Sequence, residues 1–245
     1  MFIDFKKKYI YLRPSKTAPE AVMNFFKLPH YDNIFFNSGA FQISSSCCFV
    51  DNRDIDGREI SKLALEKTKT SYLHYNYNRI KSLFSKEEDF NKYNLIISIR
   101  DPYHHAISYY KFQKTQILRR LDEKTNFRFF VYNPIRAFEQ HLFFFQSKWS
   151  FYIFLKLFYK PYTPWLDPYF NGRQTIIIRC EHIEDDLKAV CKKYELSYSE
   201  VKHLNLSYDK KKSDLDTFYN KFSKKIIEKE YSQVLEEFGY SYLNQ

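Results

Sequence analysis

Leu95-Ile96-Ile97-Ser98-Ile99-Arg100-Asp101-Pro102-Tyr103-His104-His105-Ala106-Ile107-Ser108-Tyr109-Tyr110 is the stretch on which the fold turns. A short apolar run rich in β-branched residues reads as a buried strand. It ends at Arg100. Asp101 is a favourable N-cap and Pro102 a favourable first helical residue, which predicts a helix over about 102–118. A guanidinium then stands at the carboxyl end of a strand beside a helix start, and Ser108 lies about two turns further on. Ligands of open α/β sheets bind at such strand ends. Arg offers a planar fork suited to phosphate, and a helix start offers N–H groups. The competing reading is a plain strand–turn–helix with Arg100 in solvent.

Outward from this stretch, strands and helices alternate. Strands are predicted at about 9–13 and 174–179, with short apolar pieces at 40–43 and 48–50 as further candidates and 71–74 as strand or loop. Helices are predicted at about 18–27, 59–67 and 76–84, one or two over about 134–158, and another at about 183–194. In the last of these, Ile183, Leu187, Val190 and Tyr194 share a face. Glu184, Asp185 and Asp186 open that helix and Lys192 and Lys193 close it, as the helix dipole prefers. A terminal helix over about 217–237 presents Phe218, Phe222, Ile226, Tyr231 and Leu235. The alternation predicts an α/β fold, a mainly parallel sheet flanked by helices. With no repeats and no low-complexity linker, residues 1–245 read as a single domain.

The chain has 245 residues, enough for one substantial core, and a net charge of +10 with a pI near 9.2. That balance favours an anionic ligand or partner. No nucleic-acid recognition motif accompanies it, so no specific nucleic-acid partner is expected. Cys47, Cys48, Cys180 and Cys191 show no metal-ligand spacing and read as reduced thiols of a cytoplasmic protein. Met1 to Lys8 is charged and leads straight into a strand, unlike a signal peptide or membrane anchor. The aromatic run 142–165 is interrupted by Lys148, Lys156 and Lys160, too polar for a bilayer span. A buried or capping helix is its first reading and a patch that lies on a membrane surface its second.

A second segment joins the first. Tyr9-Ile10-Tyr11-Leu12-Arg13-Pro14-Ser15-Lys16-Thr17-Ala18 is a strand followed by a turn carrying Lys-Thr. It lacks the Gly-rich frame of a Walker-type loop. Together with Arg100-Asp101-Pro102 and Ser108-Tyr109-Tyr110, it resembles the cofactor segments of sulfotransferases that use 3′-phosphoadenosine 5′-phosphosulfate (PAPS), in their carbohydrate, heparan 2-O-sulfotransferase-like branch. Thr175-Ile176-Ile177-Ile178-Arg179-Cys180-Glu181 is similar to the family's late strand, and Phe238-Gly239-Tyr240 to its C-terminal ending. The resemblance covers roughly 8–112 and 163–243 and leaves 113–162 without a counterpart.

The resemblance implies a P-loop-like sulfotransferase fold and transfer of a sulfonate from PAPS to a hydroxyl of a carbohydrate acceptor. Ser15, Lys16, Thr17 and Ala18 would take the 5′-phosphosulfate, Arg100 and Ser108 the 3′-phosphate, and Lys210 a late loop over the cofactor. Lys16 would also steady charge on the leaving group, and His74 would be the catalytic base. Imidazole titrates in the range such a base needs. The plainer readings are a surface Lys16, a structural His74 and a solvated basic triplet at 210–212. His105, where the family often has Arg, either meets phosphate or packs. Pro19 and Glu20 depart from the family's small and hydroxyl residues. Pro19 lacks an N–H, and Thr17-Ala18-Pro19-Glu20 also reads as a helix capping box. These two residues favour the alternative: a sulfotransferase-like protein that binds a nucleotide, polyanionic glycan or nucleic acid without turnover.

Overall fold

The computed structural model describes residues 2–4, 8–12, 14–25, 48–50, 81, 86–122, 147–196 and 212–242. They fall into two compact units, one from residues 1–100 with 164–205 and one from 101–163 with 206–245. Strands are β1 (Phe2–Asp4), β2 (Tyr9–Leu12), β3 (Cys48–Val50), β4 (Asn94–Ile99) and β5 (Thr175–Arg179). Helices are α1 (Pro19–Phe25), α2 (Glu87–Asn91), α3 (Pro102–Asp122), α4 (Lys148–Leu157), α5 (Asp167–Phe170), α6 (Ile183–Tyr194), α7 (Lys212–Phe218), α8 (Lys221–Glu230) and α9 (Ser232–Phe238). The expected elements at 40–43, 59–67 and 71–74, and 76–84 apart from residue 81, lie outside the described residues.

The first unit carries an α/β sheet of order β3-β1-β2-β4-β5. β2, β4 and β5 run parallel, with Leu12 beside Ile97 and Ile99 beside Arg179. β1 pairs antiparallel with β2 and parallel with β3, so an antiparallel step joins the expected parallel sheet. Alternation along the strands sends Tyr9, Tyr11, Ile96 and Ile178 into one core with α1 and α6. Ile10, Leu12, Leu95, Ile97 and Ile99, on the other face, are fully buried as well. Burial on both faces is what a parallel sheet requires. α6 spans the residues predicted for it, with acids first and lysines last. It stops where Glu195 turns left-handed, at φ 52°.

In the second unit, Asp101 caps α3 as predicted: its Oδ1 accepts the Tyr103 N–H at 2.9 Å and the His104 N–H at 3.0 Å. α4 buries Phe151, Phe154 and Leu155. The core is aromatic, with Tyr110 edge-on to Phe151 and Phe154, and Phe151 edge-on to Tyr219. The single terminal helix expected over 217–237 is corrected. Asn220 interrupts it in an extended conformation and caps α8, accepting the Phe222 and Ser223 N–H groups at 2.9 Å each. Tyr231, at φ −120° and ψ 19°, separates α8 from α9. The buried face therefore consists of Ser223, Ile227, Tyr231 and Val234. Phe222, predicted on it, points outward.

Burial pushes Tyr103 and Tyr110 up to about 12, with Glu228 and Asp101 adding to the effect at Tyr103. Burial likewise lifts Tyr194 to about 12, against a hydrogen bond from Asn94. Unfolded, each phenol ionises near 10.0. Between those values the folded chain holds more protons than the unfolded chain, so stability falls as pH rises. The melting temperature is expected to decline from pH 10 upward, and the last part of the phenolate absorbance, that of the buried tyrosines, to appear only with unfolding. Full phenolate titration of a still-folded chain near its ordinary value would refute the burial assignment.

Candidate functional site

The turn after β2 is fixed by a chain of hydroxyls. Thr17 Oγ1 donates to the Pro14 carbonyl at 2.9 Å. A hydroxyl has one proton to give, so the 2.7 Å contact between Thr17 and Ser98 is donated by Ser98. The 2.9 Å contact between Ser98 and Tyr11 is in turn donated by Tyr11. The relay runs one way, from Tyr11 on β2 through Ser98 on β4 to the turn. Thr17 and Ser98 are completely buried.

This geometry corrects the capping box read at 17–20. The Thr17 hydroxyl faces the sheet, and the first helical bond of α1 is Val22 N–H to Ala18 O at 3.3 Å. Any part Thr17 takes in holding phosphate falls to its backbone N–H. The turn backbone is left-handed at Lys16, φ 65°, and at Ala18, φ 54°. Neither residue is glycine, and each such position costs about 1–2 kcal/mol. The Ala18 methyl packs against the core of the sheet and α1. Ser15 and Lys16 are half-buried.

The register Leu12–Ile97 carries residues 14–18 past the end of β2 and Arg100 past the end of β4. Both lie at the carboxyl edge of neighbouring parallel strands, where α/β sheets bind ligands. β5 ends on the same edge, with Arg179 gripped by Asp186 of α6. The carboxylate takes the guanidinium at 2.8 and 3.0 Å and the Arg179 backbone N–H at 2.7 Å. An ammonium and a guanidinium at adjacent strand ends suit a ligand with more than one anionic group.

Ser108 belongs to the second unit, where it is buried in α3. His105 is buried there too. Its Nδ1 lies 2.6 Å from Tyr159 Oη, and its ring meets Tyr162 edge-on at 4.9 Å. Packing is thus the role the structure gives His105. His74, Lys210 and the Glu20 side chain lie outside the described residues. Sequence reasoning missed Ser98, Tyr11 and Asp186 as the residues that shape the edge. A lone hydroxyl inside an apolar strand is the signal for Ser98. Comparison of the chain with family models, with curated proteins and with solved structures finds no match.

Replacing Ser98 with Ala strips Thr17 of its donor and Tyr11 of its acceptor. A loss of about 1–3 kcal/mol in denaturant unfolding is expected, and an unchanged midpoint would dissolve the relay. Lys16→Gly removes a left-handed side chain, worth about 1–2 kcal/mol, against roughly 0.5–1 kcal/mol of added chain entropy. Its stability should be equal or slightly higher. A marked drop would mean that the Lys16 side chain helps hold the fold.

Proposed function

We propose that this chain is a PAPS-dependent sulfotransferase acting on a carbohydrate hydroxyl, with a P-loop-like sulfotransferase fold. The observation that carries the reading is the pairing, on adjacent parallel strand ends, of a strained turn bearing Lys16 with Arg100. Those residues carry the resemblance to the family's two phosphate segments. The donor set fits the group: two cations on one edge match phosphate charge.

PAPS, when bound, supplies the activated sulfonate. His74 takes the proton of the acceptor hydroxyl as its oxygen forms the bond to sulfur. Lys16 stabilises the charge that builds on the bridging oxygen as the sulfur–oxygen bond to adenosine 3′,5′-bisphosphate breaks. Arg100 holds the 3′-phosphate. Ser108, which the resemblance pairs with Arg100, lies in the other unit, and the reading rests on the first unit alone. Lys210, the late phosphate contact that the resemblance implies, falls in the other unit as well, and no step depends on it. The place of work is the cytoplasm.

A second reading has its own observation. Pro19 is the first residue of α1, and it removes an N–H that would otherwise face phosphate. That loss favours a protein which binds a nucleotide or polyanion without turnover.

Adenosine 3′,5′-bisphosphate is expected to raise the melting temperature, by an amount equivalent to about 2.7 kcal/mol at a hundredfold excess over Kd. Arg100→Ala should lose that shift. An equal shift in the variant moves the phosphate elsewhere, and no shift in the folded parent ends the cofactor assignment. In sulfonate transfer from labelled PAPS to a glycan panel, Lys16→Ala should cost about 10²–10³ in kcat. His74→Ala should cost about 10²–10⁴. Both variants should still bind the bisphosphate. Tight binding with no transfer to any acceptor would select the second reading.

A further inference from the structure

α4 buries one face and exposes large apolar side chains on the other, with Lys148 and Lys156 among them. Its inner face is buried, and its outer face carries Trp149 at 58% and Leu157 at 57% exposure, with Tyr152 and Ile153 half-buried between them. α8 of the same unit extends this surface. Phe222, 43% exposed, lies 5.8 Å from the Trp149 ring and 6.0 Å from the Tyr152 ring. The capping amide of Asn220 ties the two helices, its Nδ2 donating to Lys148 O at 3.4 Å.

Basic residues predominate around this surface, with Asp216 of α7 exposed in the same unit. Lys148, Lys156 and Lys160 are exposed on and just after α4, and Lys221 and Lys225 are exposed on α8. From residue 147 to residue 163 there is no Asp or Glu. Glu228 and Glu230 lie further along α8.

We propose that the outer face of α4, with Phe222, docks onto an anionic phospholipid surface. Indole and phenol rings settle at the headgroup level, aliphatic side chains enter the acyl boundary, and lysines reach back to anionic headgroups. Trp149 and Tyr152, Leu157 and Ile153, and the five lysines supply those three parts together. The carboxamide of Asn220 serves the joint between the helices, accepting the Phe222 and Ser223 N–H groups and donating to Lys148 O. Attachment would be lateral, since no helix among the described residues is long and apolar enough to cross a membrane. The proposal does not depend on sulfonate transfer. It stands on the second unit alone.

The test is flotation of the full chain with vesicles of phosphatidylcholine containing phosphatidylserine, set against phosphatidylcholine alone. Binding is expected to the anionic vesicles and to weaken in high salt. Trp165→Phe leaves Trp149 as the single indole reporter, and its emission should shift to the blue on binding. Trp149→Ser with Leu157→Ser should weaken partition by about tenfold or more, with the circular dichroism spectrum unchanged. Lys148→Glu with Lys156→Glu should do the same through charge alone, and serves if the first pair fails to fold. The proposal is overturned if neither vesicle binds, if bound chain leaves Trp149 emission unmoved, or if folded variants float like the parent. It is equally overturned if a sulfated oligosaccharide, and no vesicle, quenches Trp149.

Discussion

The hydroxyl relay from Tyr11 through Ser98 and Thr17 to Pro14 O is the constraint on which the first unit's edge depends. Each hydroxyl gives its one proton forward, so every donor in the series is used inside the protein. Ordinary loops after strands have latitude. This one is pinned to the neighbouring strand at a completely buried residue, and its backbone passes through left-handed positions at Lys16 and Ala18. The strain at Lys16 and Ala18 amounts to roughly 2–4 kcal/mol. Buried hydrogen bonds and the packing of the Ala18 methyl offset it.

The second unit solves a different problem with similar chemistry. Its core is crowded with tyrosines, whose rings bury well but whose hydroxyls must be satisfied. Tyr231 Oη accepts the Tyr162 N–H at 3.0 Å and lies 2.7 Å from Tyr159 Oη. Tyr219 Oη donates to the Tyr103 carbonyl at 2.9 Å. Rings thus provide the apolar mass and hydroxyls fix the geometry. Burial, first of all, raises the pKa of Tyr159, Tyr219 and Tyr231, at Tyr231 against the hydrogen bonds from Tyr159 and the Tyr162 N–H.

What the sequence discloses follows from how local each signal is. β2, β4 and β5 are short apolar runs, and α3 and α6 announce themselves through Asp101-Pro102 and through acids first, lysines last. These cues act within a turn or two, so they survive without tertiary context. β1 is three residues long and has no pattern to detect. The break at Tyr231 has neither glycine nor proline. It coincides with a ring held by Tyr159 and Tyr162, about seventy residues away in sequence. Lys16 and Arg100 are legible as cations after strands. The orientation of the Thr17 hydroxyl is not, because its partner Ser98 lies 81 residues further on.

The choice of side chain at position 16 bears on what the edge is for. A left-handed residue in a tight turn is most cheaply glycine. Ala18 returns part of its strain through a methyl packed in the core. Lys16 sits half-buried at the end of a strand, where a long side chain contributes an ammonium that glycine cannot. Beside it, Arg179 is committed to Asp186, so that third cation serves the joint between β5 and α6. Lys16 and Arg100 follow the two neighbouring parallel strands β2 and β4, at the edge where open sheets generally meet their ligands. Strain accepted at a lysine where glycine would be cheaper is a feature for which the proposed binding role of this edge would account.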